Sequence, residues 1–280
     1  MRAVSIEAPE ADIIGRQLHQ TIIGRSIDDL DLTDVGGLQR TGFVNRDTMP
    51  FHQLKGQEVA DVRWRGGGII VDLSHDLHLV IAPEYGGRIR LTPRHEPPLE
   101  PHHLAVTLDD GSTLSIRLTG MGGLQAWPTA DLHRSFSYTR DFLRALSPLE
   151  LEREAFRAAV PGGPRRLKPL LVGNEAVIVG IGNASFQEIA FRTGIRPDRR
   201  TPDLGDADVD AVFDALAGLM AERLAAGGKL GFEDLFGRPG RSEMTMASGL
   251  AGRPCSRCGT TIEKRALGGG TVGYCPHCQR

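Results

Sequence analysis

Apolar positions recur along the chain with two periods, and the change of period divides it. Over residues 9–24, Ile13, Leu18, Ile22 and Ile23 form a helical stripe. Pro9 suits a first helical turn, Glu10 and Asp12 lie near its positive end, and Gly24 can end it. From Ser26 to about Leu124 the period falls to two. Runs at 58–64, 68–73, 77–81, 88–91, 104–108 and 113–118 read as strands, with Asp109-Asp110-Gly111 as the hairpin turn between the last two. Short strands joined by glycine-rich turns predict a β-sandwich. Pro128 to Ser135 reads as a linker. Helices follow at 135–146, 148–160, 166–171, 183–194 and 206–226, the last striped by Val209, Val212, Phe213, Leu216, Leu219, Met220 and Leu224 and stopped by Gly227-Gly228. Residues 230–250 carry Gly and Pro and read as a tether. No internal repeat is visible. The pattern predicts an α+β chain in three parts: a sandwich with a leading helix (1–127), a helical domain with its tether (128–250) and a small carboxy-terminal module (251–280).

Composition narrows the class. At 280 residues, 40 % of them hydrophobic, the chain is long enough for two buried cores. No apolar run approaches the roughly 18 residues of a membrane span, and no signal peptide opens the chain, so a cytoplasmic protein without a membrane partner is expected. Net charge is −2, which argues against coating nucleic acid through bulk charge. The charge is uneven, however. Acidic residues gather at Asp28-Asp29-Leu30-Asp31 and from Asp203 to Asp214. Basic residues gather at Arg165-Arg166-Leu167-Lys168, from Arg192 to Arg200 and in the last 30 residues. A charge cluster alone is usually a solvated face, and three basic clusters in one half of the chain make a polyanion-binding surface an equal alternative.

All four cysteines lie in the tail, as Cys255-Ser-Arg-Cys258 and Cys275-Pro-His-Cys278, with 16 residues between the two knuckles. That spacing closes a structural zinc site. Four thiolates leave no open coordination position, so such a site holds a fold and does no chemistry. Four separate thiols or two disulfides are the alternatives. The confinement of every cysteine to this tail favours one Zn²⁺, which is worth on the order of 10 kcal/mol of folding energy to the module.

One further segment decides the reading. Gly180-Ile181-Gly182-Asn183 is a tight glycine turn opening a helix, where an anion is favoured, although alone it is more simply a turn. It follows Leu167-Lys168-Pro169-Leu170-Leu171-Val172-Gly173-Asn174-Glu175 and precedes Glu188 and Gly194-Ile195-Arg196-Pro197. In this order the segment resembles the helix–two-turns–helix domain of the formamidopyrimidine-DNA glycosylase / endonuclease VIII family. The resemblance extends to Ile6-Glu7-Ala8-Pro9-Glu10 with Ile23-Gly24-Arg25, to Gly86-Gly87-Arg88, to the Asp110-Gly111 hairpin and to Tyr274-Cys-Pro-His-Cys-Gln279. It implies a β-sandwich, a helix–two-turns–helix domain and a zinc-bound β-hairpin finger, with nucleic acid in the cleft between. Lys168 and Asn183 match positions that contact phosphate in that family. Gly182, Arg165, Arg166 and Tyr85 are added here as candidate nucleic-acid-binding residues, and Cys255, Cys258, Cys275 and Cys278 as zinc ligands.

The chain also departs from the family. The resemblance implies an amino-terminal proline whose free amine attacks the sugar carbon, with an adjacent glutamate as acid–base group. The glutamate matches Glu7, but the proline position is Ile6 and Met1 to Ser5 precede it. Loss of Met1 would expose only Arg2. The family's strand lysine falls on Gly67, its Met wedge on Tyr85, its Arg and Phe wedges within Gly120-Met121-Gly122-Gly123, and its finger arginine on Gly270. Base flipping costs a few kcal/mol and uses such wedges. The expectation is therefore a monomeric zinc-finger protein on a glycosylase scaffold that binds the phosphate backbone of DNA, or of structured RNA such as that of the ribosome, without glycosylase or lyase activity. Its rival is a divergent active glycosylase/abasic-site lyase of base-excision repair, acting through Glu7 or through an amine not identified in the sequence. Glu7 is otherwise a helix-end charge, His102-His103 a solvated loop pair, Trp64 and Trp127 core residues, and His277 exposed.

Overall fold

The computed structural model describes residues 4–120, 122–163 and 165–280. Helix α1 (Ala8–Ile22) is followed by eight strands: β1 (Ile27–Leu32), β2 (Val59–Arg65), β3 (Gly68–Leu73), β4 (Leu77–Ala82), β5 (Gly87–Thr92), β6 (Leu104–Leu108), β7 (Thr113–Leu118) and β8 (Gly123–Pro128). They form two antiparallel four-stranded sheets, ordered β1-β6-β7-β5 and β2-β3-β4-β8. The six strands read from alternation are present within a residue or two. β1 and β8, both at sheet edges, are additional.

Between the sheets lies one apolar core, built from Val62, Ile69, Val71, Leu79, Ile81, Ile89, Leu104, Val106, Leu114 and Ile116, with Ile14, Leu18 and Ile22 of α1 packed onto it. The segment read as a tether is partly inside it: Phe232 and Leu235 belong to this core, and Leu91 N–H donates to Leu235 O. Residues 232–235 thus return from the helical half to the sandwich.

The helical half contains α2 (Arg153–Gly162), α3 (Leu167–Leu171), α4 (Asn183–Thr193) and α5 (Asp206–Ala225). The helix expected over 135–146 is present over 136–144, as one α-turn that widens into a π-helix (Thr139–Arg144), and 129–134 is a 3-10 segment rather than an open linker. Phe156, Leu167, Leu170, Phe186, Ile189, Leu216 and Leu219 form a second core. The finger is a hairpin of β9 (Glu263–Leu267) and β10 (Gly270–Tyr274). Its Val272 is buried in that second core. Gly273 N–H donates to Gln187 Oε1 of α4 at 2.7 Å, Gln279 Nε2 donates to Ile195 O at 3.1 Å, and the Arg257 guanidinium stacks 4.2 Å from the Phe191 ring centroid. The finger is thus docked on α4 rather than tethered loosely to it. Among the described residues no helix is long and apolar enough to cross a membrane.

Candidate nucleic-acid interface and buried charge cluster

α1 begins at a buried cluster of four charges. Glu7 is 2 % exposed and Glu10 is fully buried; both face Arg223 of α5, also fully buried, and Lys229 just beyond the Gly227-Gly228 stop. Arg223 Nη1 donates to Glu7 Oε2 at 2.7 Å, and its Nε and Nη2 donate to the Glu10 carboxylate at 3.1 and 2.5 Å. Lys229 Nζ donates to Glu7 Oε1 at 3.1 Å and to Ser5 Oγ at 2.9 Å. Ser185 Oγ, in the first turn of α4, donates to Glu7 Oε2. Burial pushes the Glu7 carboxyl up, but the charges of Lys229 and Arg223, with hydrogen bonds from Ser185 and Arg223, outweigh it. The group is held well below the ordinary carboxylate range. Burial also works against the Arg223 cation, and the charges of Glu7 and Glu10 overcome it.

Glu7 is the residue preceding the first turn of α1, so the helix-end reading holds, but its main partners lie 216 and 222 residues away. The sequence reading missed both. One signal was present: Arg223 continues the stripe of Val212, Leu216, Leu219 and Met220, and all five positions are buried. A cation on the apolar face of a helix requires a buried counter-charge.

Ile6 immediately precedes Glu7. Its backbone N–H, in peptide linkage to Ser5, donates to Pro83 O at 3.3 Å, and its side chain is buried in the sandwich core. The nitrogen is an amide and no nucleophile. Around it the chain approaches at backbone distance. A Cβ on Gly67 would lie 3.4 Å from Ile6 O, one on Gly180 2.6 Å from the Gly66 carbonyl carbon, and one on Gly182 2.3 Å from Glu7 Oε1. Gly182 is therefore turned toward Glu7. The anion favoured at this helix start is thus the Glu7 carboxylate of the protein itself.

Lys168 and Asn183 meet at the finger. Lys168 Nζ donates to Leu267 O at 2.5 Å and Gly268 O at 3.3 Å, and Asn183 Nδ2 donates to Thr271 O at 2.9 Å. Asn183 Oδ1 is buried without a partner. A Cβ on Gly270 would stand 3.4 Å from Lys168 Nζ and 3.8 Å from Asn183 Nδ2, so the two side chains and the glycine tip share one locus. Burial pushes the Lys168 ammonium pKa down. Arg165 and Arg166 are exposed nearby; Arg166 is bridged to exposed Arg200.

Tyr85 is 69 % exposed. Two glycines of the loop beside it have no room for a side chain: a Cβ on Gly120 would lie 2.7 Å from Tyr85 O, and one on Gly122 2.5 Å from Ala82 O. Met121 lies outside the described residues. The histidine pair is not solvated, contrary to expectation. His102 and His103 are 5 % and 3 % exposed; His102 is bonded to Asp31 of β1 at 3.0 Å, and His103 Nδ1 accepts from Leu118 N–H at 3.1 Å. Burial, with the charge of Arg117, lowers the His103 pKa to about 4. Trp64 and Trp127 are only partly buried: Trp64 donates to Asp12 at 2.8 Å, and Trp127 lies under Arg134.

The four cysteine sulfurs lie within 4.8 Å of one another, with Cys255–Cys278 at 3.9 Å and Cys258–Cys275 at 3.5 Å. Zinc–thiolate bonds of about 2.3 Å in a tetrahedron separate the sulfurs by about 3.8 Å. The backbone N–H groups of Arg257 and Cys278 each point at a knuckle sulfur at 3.4 Å, as thiolates require. These four residues bind Zn²⁺; His277, exposed, stands outside the set.

A two-sheet sandwich, a helical domain joined to it through a buried charge cluster, and a zinc-thiolate hairpin docked on that domain define the class of helix–two-turns–helix zinc-finger proteins. The Formamidopyrimidine-DNA glycosylase N-terminal domain profile matches residues 6–119, and the profile "Zinc finger found in FPG and IleRS" matches residues 252–280. A formamidopyrimidine-DNA glycosylase of Laribacter hongkongensis is 30 % identical over 236 residues, covering 81 % of this chain and 84 % of that one. One from Exiguobacterium is 28 % identical over 283 residues, covering 98 % and 99 %. The Lactococcus lactis Fpg (MutM), solved with DNA containing N7-benzyl-Fapy-dG, superimposes with a TM-score of 0.81 at 22 % identity, covering 98 % and 99 %. The chain belongs to the formamidopyrimidine-DNA glycosylase family.

Proposed function

We propose that this protein binds duplex DNA in the cleft between sandwich and helical domain, holding the phosphate backbone through Lys168, Asn183 and the finger, with Arg165 and Arg166 extending the contact. The observation that carries this reading is the convergence of the Lys168 and Asn183 side chains on the finger's glycine tip, 2.5 to 3.3 Å from its carbonyls. A backbone phosphate replaces those carbonyls as acceptor with full charge, which strengthens each hydrogen bond. The Lactococcus lactis relative holds DNA on the same fold, which favours duplex DNA over RNA. Curated relatives bear the glycosylase name, which supports a base-excision role better than an inert one. The Ile6 nitrogen is an amide bonded to Pro83 O, which supports a route through a group other than Ile6 for any such chemistry.

The test is fluorescence anisotropy against duplex DNA with and without an abasic-site analogue, and against a structured RNA of equal length. Duplex DNA is expected to bind more tightly, and Lys168→Ala and Asn183→Ala each to weaken it. Equal or tighter binding to the RNA, or indifference to both substitutions, overturns the reading.

A further inference from the structure

The helical half holds a cavity of about 650 Å³ beside the start of α5. α2 and the first turn of α5 form two of its walls, and the chain around Arg165 and from Arg200 to Leu204 forms the rest. Val160, Leu204 and Val209 supply apolar lining continuous with the second core. The charged lining is Arg157, Arg165 and Arg200 against a single carboxylate, Asp206.

These arginines differ in what holds them. Arg157 Nε donates to Asp210 at 2.7 Å, and Arg153, Arg192 and Arg196 of the same domain are likewise bonded to carboxylates. The exposed side chains of Arg165 and Arg200 have no carboxylate partner among the described residues, and neither has neighbouring Arg166. The backbone nevertheless gathers them. Thr201 N–H donates to Arg165 O at 3.1 Å, Leu167 N–H donates to Arg199 O at 3.1 Å, and Arg166 stands opposite Arg200 in an antiparallel bridge. Like charges directly opposite one another across such a bridge are destabilising, and an anion beside them offsets that repulsion.

We propose that this cavity binds a small phosphate monoester with an apolar organic body. A guanidinium is a planar fork that meets phosphate oxygens in pairs, and Arg165 and Arg200 offer two such forks without a competing acid of their own. A phosphate monoester carries a charge of about −1.5 to −2 near neutral pH, which balances two cations where a carboxylate balances one. Val160, Leu204 and Val209 would cover the organic body. The volume lies within the range of about 300–1,000 Å³ usual for small-molecule sites. The site goes beyond the duplex-binding reading and shares only Arg165 with it, so either can fail alone.

The experiment is isothermal titration of the full zinc-loaded chain with phenyl phosphate, inorganic phosphate and phenol. Phenyl phosphate is expected to bind at least about tenfold more tightly than inorganic phosphate, because the ring is buried against the apolar wall, and phenol is expected not to bind. Arg200→Gln is expected to weaken phenyl phosphate by at least about tenfold, and Arg200→Lys, which keeps the charge without the fork, to recover only part of the loss. Arg46, exposed on the sandwich and also without a carboxylate partner, is the control: Arg46→Gln is expected to bind as wild type does. Thermal melting without ligand reports folding, and its midpoint is expected to be the same in all four proteins. Failure of wild type to bind phenyl phosphate overturns the site. Equal losses in Arg200→Gln and Arg46→Gln overturn it too, since binding would then follow bulk charge. Inorganic phosphate bound as tightly as phenyl phosphate overturns the role of the apolar wall.

Discussion

At the scale of single residues, the decisive group is Glu7, whose neighbours change what a substitution there does. Read as an idle acid it is dispensable, and Glu7→Gln should leave binding nearly unchanged. The structure adds a stability cost, because the carboxylate balances two buried cations. Removing one member of a buried ion set costs about 3–5 kcal/mol. Glu7→Gln is expected to destabilise by an amount in that range in urea titration. The pH dependence follows in sign. The Glu7 carboxyl is held below its ordinary value of 4.5, so its contribution is present above that pH and is lost as pH falls through the lowered value. Wild type should lose stability steeply below about pH 4.5, and Glu7→Gln less so. Equal acid slopes in both proteins would show that other carboxylates carry the transition.

Strands were legible where short apolar runs stood between turn residues. β3, β4, β6 and β7 are buried at most positions and were found within a residue or two. β1 was not, because Asp28, Asp29 and Asp31 read as an acidic cluster; they are the outward positions of an edge strand. That omission hid the partner of His102 and made a buried pair look solvated. β8 opens on glycine and closes on proline, so local propensity spoke against it; its pairing with β4 overrides that. The finger was legible from cysteine spacing alone, but its docking was not. Val272 enters the core of the helical domain and Gly273 bonds Gln187, so zinc supports more than its own hairpin. Chelation, or Cys275→Ser, is expected to release zinc and also to lower hydrogen-exchange protection along α4. Loss of protection confined to residues 255–280 would show the finger to be independent.

At the scale of the molecule, motif order singled out Lys168, Asn183 and Gly270, and the structure brings these three to one locus. The charge cluster was not legible in this way, since it joins residues 5–10 to residues 223–229 across most of the chain. With a net charge of −2, the proposed polyanion binding is local. Counterion release makes this countable: the logarithm of duplex affinity falls against the logarithm of salt with a slope of about −0.9 for each phosphate neutralised. Lys168→Ala is expected to weaken binding and to make that slope shallower by about 0.9, and Arg165→Ala and Arg166→Ala likewise if each meets a phosphate. Asn183→Ala removes a neutral donor, so it should lower affinity at every salt concentration and leave the slope alone. Burial lowers the Lys168 pKa, so wild-type affinity should decline as alkaline pH deprotonates it, while Lys168→Ala lacks that component of the decline. A salt slope unchanged in Lys168→Ala would mean that its ammonium stays on the carbonyls of Leu267 and Gly268 when DNA is bound, and that the finger is positioned by this lysine rather than opened by the phosphate.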